Sequence, residues 1–369
     1  TENKLYVSFN DGENWQEMMS NLPHAPMYWI DIQEHFNDLV LGTYGRGIWI
    51  LDDISPLQQM DENIVKKDIH LFDIKPSYRF HNVTSSLQMF PEASTGTDPP
   101  NGASINYWLK ESQQNVKIII TDSNSDTIKT INEKGSKGIN RLWWDFKGES
   151  TDEIILRTKP QFAEWVSLGD ERKRKLPFSI SIMSPPGIYN INLILGDEVV
   201  TKSLEVIKDP HSDGNMEDII LQDNLMRKIY EDVNITAHYI NSIEIIRRQL
   251  LDLKSMISNT SKDESLISTV EKLEKQFLNV EKKLVQLKET GTGQDDVRFE
   301  KMIGEKLAYL AGNVPNADFR PADSYYEVYD LLHKRLEEVG LEYNNLRNKD
   351  LKNVIEELNE NGINTIVLK

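Results

Sequence analysis

The sequence predicts a multidomain chain that is β in its first part and α in its last. From Leu5 to about Leu204, short alternating or β-branched runs such as Val116-Lys117-Ile118-Ile119-Ile120 are punctuated by Gly, Pro, Asn and Asp, the pattern of strands and turns. From about Met216 to Asn361, long charged stretches carry apolar residues at helical spacing. The length of 369 residues is the third observation, since at roughly 150 residues per domain it calls for two or three domains. Asp209-Pro210-His211-Ser212-Asp213-Gly214 holds turn residues without periodicity and marks the clearest boundary. A second boundary, Pro91 to Asn101, is rich in Ser, Thr, Gly and Pro and reads as an exposed loop or linker.

The first strands follow from Leu5-Tyr6-Val7 and the octet Ser8-Phe9-Asn10-Asp11-Gly12-Glu13-Asn14-Trp15, whose Asn-Asp-Gly centre tolerates the positive φ of a tight hairpin. Trp29-Ile30-Asp31-Ile32 and the stretch from Asp38 to Asp52 add strands joined by a polar turn. The glycines of Gly42-Thr43-Tyr44-Gly45-Arg46-Gly47 do not form a phosphate loop. No Lys-Ser/Thr follows them, and strand rather than helix continues.

The octet fits the pattern S-x-[DN]-x-G-x-x-W and resembles the Asp-box of sialidase-like, BNR-repeat and sortilin-type β-propellers. The resemblance implies a structural role for Ser8, Asn10, Gly12 and Trp15, with side chains bonding turn amides and the Trp packing under the loop. The Gly42–Gly47 stretch is similar to the segment that ends propeller repeats, where glycines let strands approach closely. Residues 1–57 then read as the last blade of a propeller, and 58–100 as an exit strand and linker. A single blade has too little apolar area to close a core, so further blades are expected upstream or on another chain. Thr1 in place of a methionine, with strand sequence starting at once, gives the same expectation of a longer precursor. Arg46, with Tyr44, Asp31 and Trp29, forms the candidate ligand-binding set. The alternative is that Arg46 pairs with a carboxylate to lock neighbouring blades.

Residues 101–209 carry six strand candidates, 104–109, 116–121, 127–131, 139–146, 187–195 and 199–207, which fit a small sandwich. Gly138-Ile139-Asn140-Arg141-Leu142-Trp143-Trp144-Asp145 and Pro186-Gly187-Ile188-Tyr189 resemble adjacent strands of the Ig-like domain that follows propellers in secreted bacterial proteins. Trp144 and Tyr189 are expected in the core, with carbohydrate platforms as the alternative. Glu171-Arg172-Lys173-Arg174-Lys175 is a basic spot inside an insertion and reads as a solvated loop.

Residues 210–369 read as a helical hairpin and bundle. Leu266, Val270, Leu273, Phe277, Val280, Leu284 and Leu287 follow the 4, 3 alternation of a coiled-coil stripe. Met216 to Ser258 is almost free of breakers, and the short polar turn after it makes the two helices antiparallel neighbours. Further helices are expected at about 297–312, 322–343 and 350–360. His211, His238 and His333 are solitary, without metal-ligand spacing, so no cofactor or metal is expected.

Composition bounds the function. A formal net charge of −17 disfavours nucleic acid, the lack of cysteine excludes disulfides and thiolate chemistry, and no apolar run is long enough to span a membrane. The order of blade, Ig-like domain and helical hairpin resembles the large sortilin-like, BNR-repeat propeller proteins of bacterial secretomes, often labelled glycosyl hydrolases. This implies an extracytoplasmic location, secreted or on the bacterial envelope. A glycosidase needs two carboxylates about 5 to 10 Å apart in one cleft, and Asp31, Asp52 and Asp53 do not assemble one by sequence. The expected function is therefore non-catalytic binding and assembly, with upstream blades and a carbohydrate or protein ligand as partners. Glycoside hydrolysis by blades outside this chain is the alternative, and docking of the helical hairpin on an envelope protein is a third reading.

Overall fold

A computed structural model describes residues 1–81, 100–160, 165, 174–175, 178–260, 263–288 and 294–363. The linker expected at Pro91–Asn101, most of the basic spot at 171–175 and Gly291-Thr292-Gly293 lie largely or wholly outside these residues.

In chain order the β-rich part holds β1 (Tyr6–Val7), β2 (Gln16–Glu17), β3 (Met27–Gln33), β4 (Asp38–Thr43) and β5 (Ile48–Leu51). Two short helices follow, α1 (Ser55–Gln59) and α2 (Glu62–Lys66), then β6 (Ile69–Leu71) and β7 (Ser77–Arg79). Next come β8 (Ala103–Leu109), β9 (Gln113–Thr121), β10 (Thr127–Gly135), β11 (Gly138–Trp144), β12 (Lys147–Ser150), β13 (Ile155–Leu156), β14 (Arg174–Lys175) and β15 (Ser181–Met183). The last strands are β16 (Gly187–Leu195) and β17 (Glu198–Lys208). The helices that follow are α3 (Met216–Thr260), α4 (Glu264–Leu284), α5 (Asp295–Arg298), α6 (Ile303–Asn313), α7 (Asp323–Asn345) and, after a π turn at Leu346–Asp350, α8 (Leu351–Glu360). The chain is thus β, then α. It divides into two compact units, Thr1–Gly148 with Ser184–Pro210, and Glu149–Met183 with His211–Lys369. Glu149–Met183, which the sequence places with the strands of 101–209, belongs to the helical unit.

In the first unit, β3, β4 and β5 form an antiparallel meander, and β1 pairs β2 beside it. A five-stranded sheet in the order β10-β9-β16-β17-β7 and a three-stranded sheet β11-β8-β6 make up the rest. Alternation sets their inner faces. Val116, Ile118 and Ile120 on β9, Tyr189, Ile191 and Leu193 on β16, and Leu204 and Val206 on β17 are buried. Trp144 of β11 meets Tyr189 of β16 edge-on at 5.3 Å, joining the two sheets. Both rings are buried and their polar tips are satisfied, Trp144 Nε1 donating to the Lys147 carbonyl at 2.9 Å and Tyr189 Oη to that of Pro185 at 2.6 Å. Neither presents a platform to a carbohydrate.

In the second unit, α3 and α4 run antiparallel, since Lys254 pairs with Glu271 and Arg247 with Glu281. Leu266, Val270, Leu273, Phe277, Val280 and Leu284 are buried against Ile229, Val233, Ile240, Ile243 and Leu250 of α3. Leu287 lies past the end of α4 and is only partly buried. Asn215 caps α3 by accepting the Asp218 amide at 2.9 Å, and Asp263 caps α4 by accepting the amides of Ser265 and Leu266. The segment 151–158 is held in this unit by side chains of α3. Asn234 accepts the Asp152 amide and Asn241 that of Ile155, while Glu244 accepts those of Arg157 and Thr158.

Candidate interaction surface

The octet at 8–15 folds as a local turn between β1 and β2. Asp11 and Gly12 take positive φ of 54° and 89°. Ser8 Oγ accepts the Gly12 amide at 2.8 Å, and Asn10 Oδ1 accepts that of Asn14 at 2.9 Å. The Trp15 ring lies 3.6 Å from where a Cβ on Gly12 would stand, an ordinary contact distance, so it is the positive φ and not the indole that calls for glycine here. Ser8 Oγ and Asn10 Oδ1 both serve the turn.

Directly opposed residues of antiparallel strands share a face. Trp29 stands opposite Gly42 and Gly42 opposite Ile48, while Asp31 stands opposite Val40 and Val40 opposite Ile50. One face of the sheet therefore presents Trp29, Asp31, Val40, Ile48 and Ile50. Trp29 is 72% exposed, Ile48 73% and Ile50 60%. A sheet face of this composition is normally buried. On β3 every residue after Met27 is exposed.

The opposite face is partly covered. Leu41 is buried there, and the hairpin residues Leu5, Val7, Phe9 and Met18 enclose a cleft of about 490 Å³ with Ile30, Leu39, Ile54, Leu57 and Met60. Tyr44 and Arg46 sit in the β4–β5 turn at the Trp29 end of the sheet. Gly45 and Gly47 supply its positive φ, and Thr43 Oγ1 closes it on the Gly47 carbonyl at 2.6 Å. The Tyr44 ring meets Tyr28 edge-on at 5.7 Å. Arg46 accepts from Trp49 Nε1 through its carbonyl, and among the described residues its guanidinium makes no ion pair. The candidate set is thus divided, with Trp29 and Asp31 on the bare face and Tyr44 and Arg46 at its rim.

The acids near these strands are bound into the sheet's exit. Asp53 adopts φ of 46°, and its Oδ1 accepts from the Ser55 hydroxyl at 2.5 Å. Asp38 Oδ1 accepts the Asp53 amide at 2.9 Å. Burial and the nearby Asp38 push the Asp52 carboxyl above its usual range, opposed by Arg141. Sequence reading missed Asp38 as a partner of Asp52 because it counted Asp38 only as a strand residue. It also missed Arg141, whose guanidinium donates to the Asp52 and Asp53 carbonyls, both at 2.7 Å, and to Asn106 Oδ1 at 2.8 Å. Asp31 accepts its neighbour's amide, that of Ile32, at 2.9 Å. These roles are structural, and the geometry assembles no acid pair in an open cleft from them.

Among the described residues no group of three or more His, Asp and Glu is placed to hold a metal ion. No helix among them is long and apolar enough to cross a membrane. No protein-family model, characterised protein sequence or solved structure matches this chain.

Proposed function

We propose that this chain is a binding and assembly portion of an extracytoplasmic propeller protein of the BNR-repeat, sortilin-like kind, and that its β3–β4–β5 sheet is a blade that packs on other blades. The single observation that carries this reading is the bare face bearing Trp29, Val40, Ile48 and Ile50. A contiguous exposed apolar patch of this kind marks an interaction site in a soluble protein. The Ser8–Trp15 turn and the glycine turn at 42–47 support the blade reading. On the same reading the two sheets joined by Trp144 and Tyr189 form the Ig-like domain that follows the propeller. Recognition of a carbohydrate or protein ligand falls to the rim, where Tyr44 and Arg46 stand exposed.

The helical hairpin is a weaker candidate for the docking surface. The exposed apolar residues of α3, Met216, Ile220, Ile235, Leu251 and Met256, are spread along a helix of 45 residues instead of forming one patch.

The test replaces both central apolar residues of the bare face, Ile48→Glu with Ile50→Glu. The unaltered chain is expected to self-associate through this face in sedimentation velocity and to enhance the fluorescence of an apolar dye. The double variant is expected to sediment as a monomer with its unfolding midpoint unchanged, because little of either side chain is buried. Loss of the fold in the double variant, or an unaltered chain that stays monomeric and dye-free, would refute the reading.

A further inference from the structure

In the helical unit four charged side chains meet, three of them buried and Glu274 at the partly exposed edge. Glu244 and Arg247 come from α3, and Glu274 and Glu281 from α4. Glu244 and Glu281 are fully buried and Arg247 almost so. Arg247 Nη1 donates to Glu244 Oε1 at 2.9 Å and to Glu281 Oε2 at 2.5 Å, and its Nε donates to Glu274 Oε1 at 2.9 Å. Glu244 is saturated with donors. Its Oε2 accepts the amides of Arg157 and Thr158, and its Oε1 accepts from the Thr158 hydroxyl at 2.7 Å as well as from Arg247. Glu281 is not saturated, since its Oε1 is buried with no donor.

Three ionised carboxylates around one guanidinium would leave excess negative charge in the interior, where unpaired charge is among the costliest things a fold can hold. A carboxylic acid on Glu281 halves that excess, leaving the partly exposed Glu274 to carry the rest, and turns the donorless oxygen into a donor. We propose that Glu281 keeps its proton at neutral pH, so that the α3–α4 seam is closed by an acid–carboxylate pair beside Arg247. Burial first, and the Glu244 carboxylate second, push Glu281 well above the usual carboxylate range against the pull of Arg247.

The other charged groups around α4 are engaged elsewhere. Arg157 turns its guanidinium to the Ile155 carbonyl, and Lys159 stands at the exposed edge of a void of about 10 Å³ beside Arg247. Toward α7, Glu342 is held by Lys283 at 2.6 Å, and toward α6, Glu305 accepts the amides of Gln286 and Met302. Toward α8, Glu357 accepts from Thr269, and none of Arg347, Lys349 and Asp350 in the π turn is bonded to Glu281. The pair is also a clasp, because Glu244 holds the amides of 157 and 158 with the same carboxylate.

The folded value of Glu281 is raised above its unfolded value. Its stabilisation is therefore fully present below the ordinary value of 4.5 and is lost as pH rises through the folded value. Within that window unfolding releases about one proton from this residue, and the folding constant falls about tenfold per pH unit.

Glu281→Gln in the full chain tests this, since Gln reproduces the shape, neutrality and donor of the acid. The variant is expected to fold with a folding constant at pH 7 no lower than that of the unaltered chain. Proton release on unfolding, measured calorimetrically in buffers of different ionisation enthalpy, is expected to drop by about one. The infrared carbonyl band of one buried protonated carboxyl is expected to vanish. Unchanged proton release and an unchanged band would overturn the proposal, and so would failure of the variant to fold, because a neutral donor would then not serve.

Discussion

Arg141 shows what a single side chain does in the β-rich unit. Its three bonds go to two main-chain carbonyls on the way out of β5 and to Asn106 on β8, so one guanidinium ties the exit of the first sheet to the three-stranded sheet. Asp52-Asp53 reads in the sequence as the end of a blade, and Asp53 does break the strand with its positive φ. Arg141 is not readable in the same way, because its main partners are backbone carbonyls of residues 88 and 89 positions away, which leave no trace in side-chain patterns. Arg141→Ala is expected to cost about 1–3 kcal/mol, the penalty for leaving partly buried acceptors unmet. Arg141→Lys should recover only part of this, since an ammonium lacks the planar fork that reaches several acceptors. Urea unfolding of both variants measures the difference, and a loss within error of zero for Arg141→Ala would show that water replaces the clamp. Gly214 is a second case. The sequence offers it as a turn residue, but a Cβ there would stand 1.4 Å from the Asp318 carbonyl oxygen, so close approach is what demands glycine.

At the scale of elements, the helices are largely readable and the segment beneath them is not. The alternating spacing of Leu266 to Leu284 identifies α4 because a core against one antiparallel neighbour repeats every three or four residues. The freedom of 216–258 from breakers likewise identifies α3. By contrast, 151–158 joins the helical unit through Asn234, Asn241 and Glu244, which share one face of α3 and accept amides that no strand takes. Polar residues in a long helix read as solvated, and nothing in a single sequence says that they reach backbone 80 to 90 positions away. Asn241→Ala removes both the acceptor of the Ile155 amide and the donor to the Glu153 carbonyl, each bond at 2.8 Å. The expected loss is about 1–2 kcal/mol. Hydrogen exchange should quicken at the Ile155 amide while the α3–α4 seam keeps its protection, and equal quickening in both would mean that segment and helices open as one.

At the scale of the whole molecule, the order of β before α and the boundary near 210 follow from composition, because the two kinds of periodicity do not overlap. The exposure of the β3–β4–β5 sheet does not follow, since alternation marks which residues share a face but not what covers it. That exposure sets the apolar pull of Trp29, Ile48 and Ile50 against a net charge of −17 carried by every copy. Charge repulsion between copies reaches about 30 Å at 0.01 M salt and about 8 Å at 0.15 M. Apolar attraction acts only at contact and is not weakened by this screening. Self-association through the bare face should therefore strengthen as salt is raised over that range at pH 7. It should strengthen again as pH falls toward the sequence pI of about 5.0, where the net charge vanishes. Light scattering across the two titrations measures this, with Ile48→Glu and Ile50→Glu together as the control in which neither should raise the apparent mass. Association that weakened with salt would mean that copies meet through opposite charges, and the sheet face would lose its claim to be the surface that binds.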